Sequence, residues 1–205
     1  MKTIKISTYY ALLLAFIALI CTALSTGVYF LTKDKIAEEI NKQQRTLLLQ
    51  VVPQQYFDNV LSENCYVPTS QKLIVNRIKN ICVATKNQQK TAYAIETIAP
   101  DGYSGNIRLL IGITPSGEIL GVRVLEHQET PGLGDKIETR ISNWILSFTH
   151  QQINANNLNE WAVKKDGGKF DQFAGATITP RAVVNQVKNA ALNMLDELNQ
   201  ENNRQ

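Results

Sequence analysis

Asp171-Gln172-Phe173-Ala174-Gly175-Ala176-Thr177-Ile178-Thr179-Pro180 sets a threonine hydroxyl on a small-residue turn, just ahead of a long amphipathic stretch. Thr179 reads as the N-cap of a helix and Pro180 as its first residue, since proline lacks an N–H that a helix start leaves unpaired anyway. Thr177 then lies beside unpaired backbone donors and the positive end of a helix dipole, where a phosphate is stabilised. Gly175 and Ala176 keep bulk away from the hydroxyl. Two readings stand on these residues alone: a phosphate-bearing threonine, or an ordinary strand–turn–helix junction. A second stretch, Leu125-Glu126-His127-Gln128-Glu129-Thr130-Pro131-Gly132-Leu133-Gly134, follows an expected strand. Its proline and glycines demand a tight turn that can offer successive backbone N–H groups to an anion or a ring carbonyl.

Asp-x-x-x-Gly-Ala-Thr resembles the acceptor motif of the FMN-binding domain family, in which FMN is joined through its phosphate to the last threonine. The resemblance implies Thr177 as a phosphoester-bearing acceptor. It also implies maturation by a separate flavin transferase, with Asp171 in the sequence that the transferase recognises. One position departs from the pattern: Ser or Thr usually precedes the glycine, and here it is Ala174. The run His-x-Glu-Thr-Pro-Gly-Leu-Gly resembles the flavin-pocket loop in the G subunit of the bacterial Rnf (also called Rsx) electron-transport complexes. It is also similar to a loop in the C subunit of the sodium-pumping NADH:quinone reductase. This second resemblance implies Glu129, Thr130 and Leu133 as ring contacts, with Gly175, Ala176 and Thr179 completing the cofactor site.

These motifs need elements to hold them. Tyr93, Ile95 and Thr97 alternate along one strand. Ile107, Leu109, Ile111 and Ile113 line the next, and a Pro115-Ser116-Gly117 turn leads to a partner carrying Leu120, Val122 and Val124. Asp135 is placed to cap a helix carrying Ile137, Ile141, Trp144 and Phe148. The final helix is expected to bury Val183, Val187, Ala190, Met194 and Leu198, with a polar, frayed tail over 199–205. Residues 54–90 give no clear periodicity. The expected architecture is α+β: a mostly antiparallel sheet with helices packed against it, occupying 54–198.

The N-terminal part reads differently. No charged residue occurs from Ser7 to Thr32. After a short tail (1–8), the apolar run 9–31 at about 1.5 Å per residue spans roughly 35 Å, enough for a hydrocarbon core of about 30 Å. A cleaved signal peptide would have a shorter apolar core ending at a small-x-small site, which Ala23-Leu24-Ser25 matches. Apolar residues continue through Leu31, which favours one uncleaved transmembrane helix. A helical stalk follows over 32–53, with Ile36, Ile40 and Leu47 on one side and a stop before Pro53.

Lysines flank both ends of the span (Lys2 and Lys5 against Lys33, Lys35 and Lys42), so charge bias leaves orientation open. The resemblance implies a bacterial inner-membrane protein with its C-terminal domain on the periplasmic side. There Cys65 and Cys82, the two cysteines outside the span, are candidates for a disulfide. Net charge is only +3, with no basic cluster, so nucleic-acid binding has no support. His127 and His150 have no metal-ligand or triad spacing, and no metal or catalytic residue is expected. Gly132-Leu133-Gly134 lacks the third glycine of a dinucleotide fingerprint.

The resemblance implies a protein that works with other membrane subunits of the complex and is not a complete enzyme alone. Electrons would pass through its FMN, coupled to ion movement, and some bacteria use such a complex to keep a redox-sensing transcription factor reduced. The rival reading is a membrane-anchored scaffold module without flavin, for which Ala174 speaks.

Overall fold

The structure, a computed structural model, describes residues 2–203. The side chains of Lys2 and Lys5, which flank the apolar run, lie outside the described set, as do Arg204 and Gln205. Two compact units are present, Met1–Gln44 and Arg45–Gln205.

The first unit is helical. Helix α1 (Lys2–Val51) is continuous. Among the described residues it is the one helix long and apolar enough to cross a membrane, with a stretch of mean hydropathy 2.3 that is 0% buried within the protein. Tyr9, Leu12, Phe16, Leu19 and Phe30 are all exposed, which suits a hydrocarbon environment and not water. The last turns of α1, from Arg45 on, belong to the second unit. The helix stops where Pro53 makes continuation unfavourable.

The second unit is built on six antiparallel strands in simple sequential order: β1 (Cys65–Tyr66), β2 (Ile78–Lys86), β3 (Gln89–Gly102), β4 (Gly105–Ile113), β5 (Glu118–Glu126) and β6 (Gln151–Gln152). Alternation fixes the register. Ile95 pairs with Ile111, which in turn pairs with Val122, so three apolar side chains share one face. The β4–β5 hairpin turns at Pro115-Ser116-Gly117, where Gly117 takes φ 91°. A short helix α2 (Gln71–Val75) and 3-10 turns at Gln54–Tyr56 and Leu61–Glu63 fill the stretch without clear periodicity. Cys65 and Cys82, directly paired between β1 and β2, are joined as a disulfide.

Helix α3 (Ile178–Asn202) covers the face carrying Ile95, Ile107, Leu109, Ile111 and Ile119, burying Val183, Val187, Ala190 and Met194 against it. It continues past Leu198 through Asn202, helical where the sequence suggests a frayed tail. The stretch with Ile137, Ile141, Trp144 and Phe148 is not a helix. It forms two 3-10 turns, Gly134–Ile137 and Trp144–Phe148, and Ile141 is exposed. The competing interaction is local. The Ser142 hydroxyl donates to the Lys136 carbonyl and accepts the Trp144 N–H, offering the backbone an alternative to helical bonds. Asp135 makes no capping bond there and is buried. An aromatic group of Trp144, Phe148, Trp161, Phe170 and Phe173 closes the core under this region, with Phe148 stacked on Phe170 at 4.4 Å.

Candidate functional site

Two β-turns meet beside the first turn of α3. In one, Leu133 N–H donates to the Thr130 carbonyl at 3.1 Å, with Pro131 second and Gly132 third at φ 78°. Proline presets the second position and glycine accepts the positive φ of the third. In the other, Ala176 N–H donates to the Phe173 carbonyl at 3.1 Å, again with glycine third, Gly175 at φ 78°. A Cβ on Gly175 would lie 3.9 Å from Leu133 Cδ2, so the turns are within side-chain reach of one another. Residues that the sequence places on separate motifs thus share one wall.

Helix α3 begins two residues earlier than the sequence suggests. Thr177 is its N-cap, with no side-chain capping bond, and its carbonyl accepts the Arg181 N–H at 3.3 Å. Thr179 is therefore not the cap. It is fully buried, and its hydroxyl donates to Glu129 Oε2 at 2.5 Å. Pro180 falls third in the helix, still within the turn whose N–H groups lack helical partners. Arg181 pairs with Asp166 through two hydrogen bonds of 2.6 and 2.8 Å, tying the helix start to the preceding loop. Thr177 is half-buried, and its hydroxyl is not spent on capping.

Between these parts opens a cleft of about 550 Å³ lined by Tyr103, Glu129, Thr130, Leu133, Gly134, Gly175, Ala176, Thr177, Ile178 and Thr179. That volume lies in the range of ligand pockets, roughly 300–1,000 Å³. Glu129, Thr130, Leu133, Gly175, Ala176, Thr177 and Thr179 are all on it. Asp171 is not: its carboxylate is exposed and pairs with Lys164 at 2.5 Å, while its carbonyl accepts the Trp144 indole N–H at 2.8 Å. Sequence reasoning missed Tyr103, exposed on the β3–β4 turn between Gly102 and Gly105, and Ile178, exposed in the first turn of α3. An aromatic at a hairpin tip was the available signal for Tyr103. One expectation needs correction: the N–H groups of Leu133 and Gly134 both donate to the Thr130 carbonyl, so they are not offered to a ligand.

The loop is braced from outside. His127 Nδ1 accepts the Glu129 backbone N–H at 3.0 Å, and Nε2 meets Glu138 Oε1 at 2.5 Å. The Arg140 guanidinium, chiefly, holds the Glu138 carboxyl down at about 2; burial opposes it, and the His127 contact adds a smaller lowering. His127 thus braces the loop, and it is not among the residues that line the cleft.

Known proteins resemble this chain over most of its length. Residues 102–192 match the FMN-binding domain, and residues 1–51 match the RnfG N-terminal region. The G subunit of the ion-translocating oxidoreductase complex of Pasteurella multocida (strain Pm70) is 77% identical over 202 residues, covering 98% of this chain and 100% of that one. The chain belongs to this G-subunit family. The G subunit of Haemophilus influenzae (strain 86-028NP) is 64% identical over 96% of this chain and 94% of its own. That of Vibrio cholerae serotype O1 (strain M66-2) is 52% identical over 87% and 86%. A solved structure, the crystal structure of Shewanella oneidensis NqrC, aligns with TM-score 0.45 at 20% identity, over 70% of this chain and 73% of that one.

As a family member with one apolar helix, the chain is a single-pass inner-membrane component of an electron-transport complex, and its second unit carries an FMN-binding domain. The cleft fits that cofactor. Tyr103, Leu133 and Ile178 are 68%, 42% and 45% exposed, an apolar rim suited to a flat ring. Among the described residues no Lys or Arg lines the cleft. A phosphate there would meet the N–H groups of the α3 N-terminus and the Thr177 hydroxyl.

Proposed function

We propose that this chain is the electron-relaying subunit of its complex, holding FMN through a phosphoester to Thr177. The observation that carries the reading is the position of Thr177: N-cap of α3, on the cleft wall, with its hydroxyl unspent on capping. FMN supplies the redox chemistry when bound, and the protein supplies position and electrostatics. Thr177 and the first turn of α3 would hold the phosphate; Thr130, Leu133, Tyr103 and Ile178 would border the ring. A covalent anchor prevents loss of cofactor in a compartment where it is not readily replaced.

The same reading puts the second unit on the periplasmic side, where an oxidising environment sustains the Cys65–Cys82 disulfide. A flavin transferase would attach the cofactor, with exposed Asp171 accessible to it. Other membrane subunits would complete the electron path, couple it to ion translocation and, in some cells, keep a redox-sensing transcription factor reduced. This chain alone is not expected to turn over.

The test is flavin fluorescence of denatured protein from cells with an active exported flavin transferase, with Thr177→Ala alongside. Fluorescence that stays with the normal chain and is lost in the variant upholds the reading. If neither chain is modified while a known acceptor in the same cells is, the flavin-free scaffold takes its place.

A further inference from the structure

Glu129 is a buried carboxylate on the cleft wall with only neutral partners. It is 4% exposed. Oε1 accepts the Ser104 backbone N–H at 3.0 Å and Oε2 accepts the Thr179 hydroxyl at 2.5 Å. The His127 ring accepts the Glu129 backbone N–H, but among the described residues no Lys, Arg or His side chain hydrogen-bonds to the carboxylate or pairs with it. Two glycines crowd its oxygens: a Cβ on Gly102 would lie 2.8 Å from Oε1, and one on Gly134 would lie 2.8 Å from Oε2. The carboxylate therefore joins three walls of the cleft, namely the β3–β4 turn, the 127–134 loop and the first turn of α3. A buried charge without an opposite charge costs stability, and a neutral side chain of similar shape could make the same two contacts. Its field acts in a region of low dielectric, where charge is weakly screened.

We propose that Glu129 is a positioning residue that sets the potential of a flavin in the cleft. Its carboxylate, fixed by Ser104 and Thr179, opposes the gain of negative charge on reduction and lowers the midpoint potential. This rests on FMN occupying the cleft. Thr179 acts through Glu129, since its hydroxyl offsets part of the carboxylate charge.

The test is a spectroelectrochemical titration of the flavin in full-length protein, with flavin load checked by intact mass. Glu129→Gln keeps an acceptor for Ser104 and can donate to the Thr179 oxygen, so its midpoint should move positive. Thr179→Val removes the donor and leaves the charge, so its midpoint should move negative. Thr179→Ser should restore the normal value. Opposite signs distinguish an electrostatic role from loosening of the walls, which would shift Glu129→Gln and Thr179→Val in the same direction. A loaded Glu129→Gln protein with an unmoved or more negative midpoint overturns the proposal. If that variant does not fold, the threonine pair decides, and a Thr179→Val midpoint equal to or above the normal one overturns it. A normal chain that takes up no flavin removes the underlying reading as well, an outcome visible by mass before any titration.

Discussion

The two faces of the sheet are packed by opposite means. On one, Ile95, Ile107, Leu109, Ile111 and Ile113 stand under α3 and hold it at side-chain distance. On the other, Ala84, Ala92 and Ala94 lie in a smaller cluster with Leu48, Val51 and Val52, from the end of α1 and just beyond it. Gly112 and Gly121 face each other across β4 and β5 on that side. A Cβ on Gly112 would sit 1.9 Å from the Val51 carbonyl oxygen, so backbone rests almost directly on backbone. The cleft opens beside the first turn of α3, the helix that packs on the bulky face. Large side chains hold elements apart beside the cleft, whereas small residues let main chain approach main chain.

Ile111 and Gly112 are neighbours on opposite faces, and replacing each by alanine tests the contrast. Ile111→Ala opens a cavity under α3 and should cost about 2–5 kcal/mol in denaturant unfolding. Gly112→Ala adds one carbon against main chain that cannot rotate away, and should cost about 1–3 kcal/mol. A neutral Gly112→Ala would mean that the small face is not closely packed. The smallest effect belongs to the brace behind the cleft. The Glu138 carboxyl is held below its ordinary value of 4.5, at about 2, first by Arg140. Its contribution is complete above the ordinary value and is lost as pH falls through about 2. Arg140 is 74% exposed, so solvent screens the pair and leaves this the smallest of the three effects. Acid titration of stability should show that loss in the normal chain and not in Glu138→Gln.

Much of the architecture was legible because period reports burial. The β4–β5 hairpin and the stripe Val183, Val187, Ala190, Met194 of α3 read directly from alternation and helical spacing. The same spacing misled over Ile137–Phe148, where Ser142 bonds divert the backbone into 3-10 turns. β2 and β3 were obscured at their junction by a register shift between Ala84 and Thr85 and a turn through Asn87 and Gln88, both at positive φ. Two site motifs were visible as turn chemistry, Pro131-Gly132 and Gly175-Ala176. The role of Thr179 was not, because its partner Glu129 lies 50 residues away and no local rule connects them.

The most direct measurement is tandem mass spectrometry of the tryptic peptide Phe170–Arg181, taken from membrane protein matured beside a flavin transferase. That peptide carries two hydroxyl side chains, Thr177 on the cleft at the N-cap and Thr179 buried against Glu129. The expected result is one FMN phosphoryl group, located on Thr177. A peptide modified on Thr179, or left unmodified while another acceptor in the same cells is loaded, would contradict the assignment of Thr177 as the flavin anchor.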